Sequence, residues 1–144
     1  MRWLHSMHPG PSVMPSCVAD AAVLATAITD EGREGERARA ALRPYRLAAP
    51  DYYLVEVLSV VRGLVLGGRL VAADADAVLS DFAELWIDRY DTAALARRIW
   101  ELRDNLSTYD AGYVALAEVL GCPPLTVDRR IARAPGIRCV VETV

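Results

Sequence analysis

Ser16-Cys17-Val18-Ala19-Asp20-Ala21-Ala22-Val23-Leu24 decides how the rest of the chain is read. A short apolar run ends in one carboxylate, and an alanine-rich stretch follows at once. A run this short, bounded by a polar residue, reads as a buried strand, and the alanines of 21–29 favour helix. The unit is strand, acid, helix. It recurs late in the chain, where Pro124-Leu125-Thr126-Val127 reads as a strand, Asp128 ends it, and 129–134 reads as a short helix stopped by Pro135-Gly136.

Between these two units the same alternation continues. Gly32 and Gly35 interrupt the first helical region, and a charged helix over 36–43 follows, ended by Pro44. Residues 45–48 form a candidate strand. Pro50 opens a long helix over 51–66, in which Leu54, Val57, Leu58, Val61, Leu64 and Val65 follow helical spacing. Val55 and Val60 widen that face, so this helix is expected to be largely enclosed. Gly67-Gly68 stops it. Further helices are expected over 74–86, 92–102 and 108–120, with strands over 87–90 and 138–141. Strands alternating with amphipathic helices predict an α/β sandwich around a mostly parallel sheet.

Composition narrows the chemistry. The chain has 144 residues, one domain's worth, with 53% hydrophobic residues and a net charge of −3. All 16 basic residues are arginine. The absence of lysine excludes a P-loop and Schiff-base catalysis as usually built. Cys17, Cys122 and Cys139 form no C-x-x-C pair, and His5 and His8 both lie near the start, so reduced thiols in a cytoplasmic protein are expected. No apolar stretch is long enough to span a membrane. Residues 1–15 read as a flexible leader and 16–144 as the folded domain.

Four acids stand at comparable addresses. Asp20 and Asp128 follow strands, and Asp110 opens a helix after a turn. Each has an alternative explanation in helix capping, Asp20 and Asp128 as N-caps and 107–110 as a capping box. Glu56 differs, because it lies within the most apolar helix. Its neighbours one turn away are Tyr52, Tyr53, Ser59 and Val60, none of them cationic. Unless it faces solvent, it needs a partner from elsewhere, an arginine or a metal ion. In parallel sheets the functional crevice lies at the carboxyl ends of the strands, which brings all four acids toward one pocket. Like charges ~4 Å apart repel by about 4 kcal/mol in a partly buried site, so such a cluster calls for protonation or a cation. Oxygen donors favour Mg²⁺ or Mn²⁺ over zinc.

The motifs around these acids resemble those of PIN domains, and in particular the VapC toxins of toxin–antitoxin pairs. Residues 17–24 resemble the opening motif and 49–57 the second, centred on Glu56. Residues 102–118, LRDNLSTYDAGYVALAE, are similar to the VapC pattern around the third acid and are the most specific of the four. Residues 125–130 match the fourth. The resemblance covers about 14–144. It implies a PIN-like three-layer sandwich with a central, mostly parallel five-stranded sheet flanked by helices, and metal-dependent cleavage of RNA. It implies Asp20, Glu56, Asp110 and Asp128 as catalytic acids, with Asp20 and Asp110 holding Mg²⁺ (or Mn²⁺). Ala22 departs from the Ser or Thr common at that position. Thr126 is retained, and is expected to orient Asp128 or a bound water.

Arg129, Arg130 and Arg133 follow the fourth acid and are candidate RNA contacts, with a solvated helix face as the alternative. The resemblance also implies a homodimer and a cognate VapB-type antitoxin. Helices 51–66 and 74–86 are the expected dimer surfaces, and an antitoxin tail is expected to occlude the acidic pocket. A catalytically inactive PIN-fold scaffold is the alternative reading of the same motifs. A receiver domain or aspartyl phosphatase is disfavoured by the missing lysine and because Asp20-Ala21-Ala22 is not the D-x-D-x such phosphatases use.

Overall fold

A computed structural model describes residues 14–144, so the leader reading of 1–15 falls, apart from Met14 and Pro15, outside the described residues. Five parallel strands form one sheet in the order β3-β2-β1-β4-β5. They are β1 (Ser16–Ala19), β2 (Arg46–Pro50), β3 (Ile87–Tyr90), β4 (Pro124–Thr126) and β5 (Glu142–Thr143). Seven helices join them: α1 (Ala21–Thr29), α2 (Arg33–Leu42), α3 (Tyr53–Leu66), α4 (Ala72–Ala83), α5 (Ala96–Glu101), α6 (Thr108–Leu120) and α7 (Arg129–Ala132). A 3-10 turn over Thr92–Leu95 leads into α5. On one face of the sheet α1 packs with α2, α3 and α4, and on the other α6 lies over β1, β2 and β4 beside α5.

The central position of β1 follows from its composition. Cys17, Val18 and Ala19 are fully buried, as a strand covered on both faces requires. Since β1 pairs with β2 on one side and β4 on the other, the strand order switches direction at the β1–β4 seam. Crevices of open parallel sheets form at such switch points, beyond the strands' carboxyl ends. Asp20 follows β1 directly, and Asp128 follows β4 by two residues.

Four expectations change. Gly35 does not break a helix but lies inside α2, because a Cβ there would sit 1.8 Å from the Asp30 carbonyl oxygen. Its lack of a side chain lets α2 close on the end of α1, and Arg39 then donates to the Ala27 and Asp30 carbonyls at 2.9 and 2.8 Å. The last strand is Glu142–Thr143 rather than 138–141. The Arg138 N–H is taken by Glu118 at 2.7 Å, and β4 pairs instead through Leu125 with Glu142 and Thr126 with Thr143. Helix α3 is not enclosed. It buries Tyr53, Val57 and Val61, whereas Leu54, Val55, Leu58, Val60 and Leu66 remain exposed. Leu54 and Leu58 line a groove that continues over Leu79, Phe82 and Trp86. Helix α4 ends at Ala83, leaving Trp86 outside it and 54% exposed. No helix among the described residues is long and apolar enough to cross a membrane.

Candidate active site

Asp20 is both a helix cap and a buried acid. Its Oδ1 accepts the Val23 N–H at 2.8 Å, which satisfies the first turn of α1. The carboxylate also receives a hydrogen bond from the Thr126 hydroxyl. Thr126, 1% exposed, accepts the Asp128 N–H on its Oγ1 at 3.0 Å. One buried threonine in β4 therefore connects the ends of the two central strands. Burial pushes the Asp20 carboxyl above its ordinary range, and the Asp110 charge pushes it further, against the hydrogen bonds from Thr126, Val23 and Ala22.

Glu56 sits one turn into α3, half-buried. Its Oε1 accepts the Tyr113 hydroxyl at 2.8 Å. The partner required by the sequence argument is thus a neutral phenol on α6, not an arginine. Burial raises this carboxyl too, Asp110 and Asp20 add to the rise, and only Tyr113 opposes it. Asp110 lies in the first turn of α6, whose N-cap is Ser107, accepting the Asp110 N–H at 3.1 Å. Asp20, Glu56 and Asp110 thus share one electrostatic basin at the switch point.

Asp128 stands apart from these three. It caps α7 by accepting the Arg130 N–H at 2.8 Å, and the Arg130 guanidinium grips both carboxylate oxygens, with Nη2 to Oδ2 at 2.7 Å. That guanidinium holds the Asp128 carboxyl below its usual range. The fourth acid is therefore tied to the basin through Thr126 and a backbone amide, with its own charge already compensated. Arg129 and Arg133 are exposed, with no carboxylate in ion-pair range among the described residues. Arg130 is exposed but engaged, and it feels the Asp110 charge as well.

Among the described residues no three carboxylate, histidine or cysteine side chains form a ready-made metal cage. The donor set instead suits a hard cation that keeps much of its water. Mg²⁺ is commonly held by one or two carboxylates, and Asp20 and Asp110 are two coupled oxygen donors, neither of them hydrogen-bonded or ion-paired to an arginine among the described residues. A cation there would offset the repulsion that adds to the burial-driven rise of Asp20 and Glu56.

Residues 17–137 match the PIN domain family. Ribonuclease VapC9 of Mycobacterium tuberculosis is 38% identical over 127 residues, 88% of this chain and 97% of the relative. The chain is a PIN domain of the VapC family. Ribonuclease VapC1 of the same organism is 36% identical over 132 residues, covering 91% of this chain and 99% of the relative. In fold, the PIN domain is similar to the crystal structure of VapBC2 from Rickettsia felis bound to a promoter DNA fragment. That similarity has a TM-score of 0.62 and 15% identity, covering 89% of this chain and 98% of that one.

Sequence reasoning missed the tyrosines that organise this PIN domain's site. Tyr113 follows Asp110 by three residues, one helical turn, and that spacing was the available signal. Tyr52 donates to the Tyr109 carbonyl at 2.6 Å and packs edge-on against both Tyr109 and Tyr113. Glu118, at the end of the third motif, serves elsewhere. Arg98 binds it at 2.7 and 3.0 Å, and Arg98 also donates to the Gly136 carbonyl at 2.6 Å.

Proposed function

We propose that this chain is a divalent-cation-dependent endoribonuclease, a toxin restrained by a VapB-type antitoxin. The observation that carries this reading is the convergence of Asp20, Glu56 and Asp110 in a chain 38% identical to a VapC ribonuclease over nearly its whole length.

Asp20 and Asp110 would hold Mg²⁺, with Mn²⁺ an acceptable substitute, and such an ion supplies acidified water and neutralises charge growing on phosphoryl oxygens. Thr126 keeps the Asp20 carboxylate oriented from β4. Glu56 would accept a hydrogen bond from the attacking water and take its proton as the water oxygen bonds to phosphorus, while the bond from phosphorus to the leaving ribose oxygen breaks and that oxygen takes a proton from solvent. A carboxylate raised toward neutrality is better matched to that task than an ordinary one. Asp128 holds Arg130 at the rim, and Arg129, Arg130 and Arg133 meet the RNA backbone, where cationic side chains provide sequence-independent affinity.

The exposed apolar face of α3, with the groove it forms over Leu79, Phe82 and Trp86, supports two protein contacts, a second copy of the chain and the antitoxin, since a monomer rarely leaves so continuous an apolar groove open. The antitoxin's tail would cover the acidic basin, with an arginine supplying the missing positive charge.

The test is cleavage of a total-RNA or structured-RNA pool by purified protein with and without Mg²⁺. Cleavage that requires the ion and is lost in Asp20→Asn and Asp110→Asn, with circular dichroism unchanged, supports the reading. Undiminished cleavage in those variants contradicts it, and metal binding without any cleavage by the wild-type chain favours the inactive scaffold.

A further inference from the structure

Glu56 hangs from α3, whereas Asp110 and Tyr113 belong to α6. The relative placement of Glu56 and Asp110 therefore depends on how these helices are joined. Tyr113 is 4% exposed, so its ring is fixed by packing. Tyr52 lies edge-on against it, with ring centres 5.6 Å apart, and is itself fastened to the Tyr109 carbonyl. Gly112 makes room for this, since a Cβ at that position would stand 2.0 Å from the Tyr52 hydroxyl oxygen. The Tyr113 hydroxyl is thus presented from a rigid platform, and its single proton goes to Oε1 of Glu56 at 2.8 Å.

We infer that Tyr113 is a positioning residue whose hydroxyl pins Oε1 of Glu56, leaving Oε2 to hold the attacking water; the inference rests on the ribonuclease reading above. Two features favour a positioning role over simple space filling. A glutamate has several rotatable bonds, and ordering it needs a directed contact. No other described side chain donates to Glu56. A hydrogen bond to a charged acceptor is also stronger and more directional than a neutral one. If the ring alone mattered, phenylalanine would serve equally well.

Tyr113→Phe keeps the ring and removes only the hydroxyl. In protein labelled with carboxyl-¹³C glutamate, the Glu56 resonance is assigned by its loss in Glu56→Gln. Tyr113→Phe is expected to shift and broaden that resonance and leave the other glutamates unmoved. An unchanged Glu56 resonance overturns the inference, whether or not the protein cuts RNA. In cleavage assays Tyr113→Phe should lower kcat about 10-fold with KM nearly constant, as loss of a contact that orients a site residue does. The double variant Glu56→Gln/Tyr113→Phe should be no slower than Glu56→Gln alone, because the hydroxyl acts only through that carboxylate. Losses that multiply would overturn the inference. A wild-type chain inert toward RNA would defeat the ribonuclease reading, and the carboxyl resonance would still decide the role of Tyr113.

Discussion

Two carboxylate sites in this PIN domain sit at opposite ends of α6 and are built by opposite rules. At the C-terminal end, Glu118 is gripped by Arg98, receives the Arg138 N–H at 2.7 Å, and through Arg98 secures the Gly136 carbonyl. Burial works against its charge, but Arg98 and the amide hold its carboxyl below the usual range. At the N-terminal end, Asp20 and Glu56 are buried or half-buried, lie near Asp110, and receive only neutral donors: a threonine, a tyrosine and backbone amides. Their carboxyls are raised. The chain has arginines in abundance, and among the described residues none is placed on these two acids. A compensated carboxylate fastens the C-terminal segment to the fold, and an uncompensated group is what the proposed cation would neutralise.

The largest difference between the two ends should appear in activity. Asp20→Asn or Asp110→Asn is expected to reduce Mg²⁺-dependent RNA cleavage on the order of 100-fold or more, while Glu118→Gln leaves the rate per folded molecule nearly unchanged. Cleavage rates corrected for folded fraction check this, and equal losses at both ends would erase the distinction.

Stability should respond in the reverse sense. Arg98→Ala strands a mostly buried Glu118 and frees the Gly136 carbonyl, and is expected to cost about 2–3 kcal/mol, somewhat below a fully buried pair. Asp20→Asn keeps a good N-cap, and is expected to raise the metal-free midpoint slightly by removing a repelled charge. Chemical denaturation of the three proteins without metal checks both signs.

Opposite pH signatures give the finest separation. A carboxyl raised in the folded state contributes stability that is present below its unfolded pKa and lost as pH rises through the raised value. For Asp20 and Glu56 that loss lies on the upper side of the ordinary carboxylate range. Glu118 is lowered, so its contribution is present above the unfolded pKa and lost as pH falls. Asp20→Asn should therefore flatten the metal-free stability curve on the rise toward neutrality, and Glu118→Gln should flatten its acid limb. Thermal midpoints measured across the acid range check the pair.

Much of this frame was legible in the chain. The run Ser16–Ala19 and the helix Thr108–Leu120 announce themselves by apolar composition and by clean stops at Asp20 and Gly121, the latter at φ 64°. The acids were legible because strand ends and helix starts meet at one edge of a parallel sheet. What escaped was set by contacts distant in sequence. The 138–141 run is as apolar as a strand, but Glu118 captures its first amide and moves the pairing to Glu142–Thr143. Gly35 reads as a breaker until the close approach of α1 gives it a reason to stay in a helix. The exposed side of α3 was hidden because periodicity tells which residues share a face, not whether this chain alone covers that face. Asp128 looked equivalent to Asp20 in address, and only the fold of Arg130 back onto it separates them.

The central claim is most directly tested by titrating Mn²⁺ into the RNA-free protein in a calorimeter. The account predicts saturable binding that is abolished by Asp20→Asn and by Asp110→Asn and is untouched by Glu118→Gln. Binding that survives in both aspartate variants, or its absence from the wild-type protein, would contradict it.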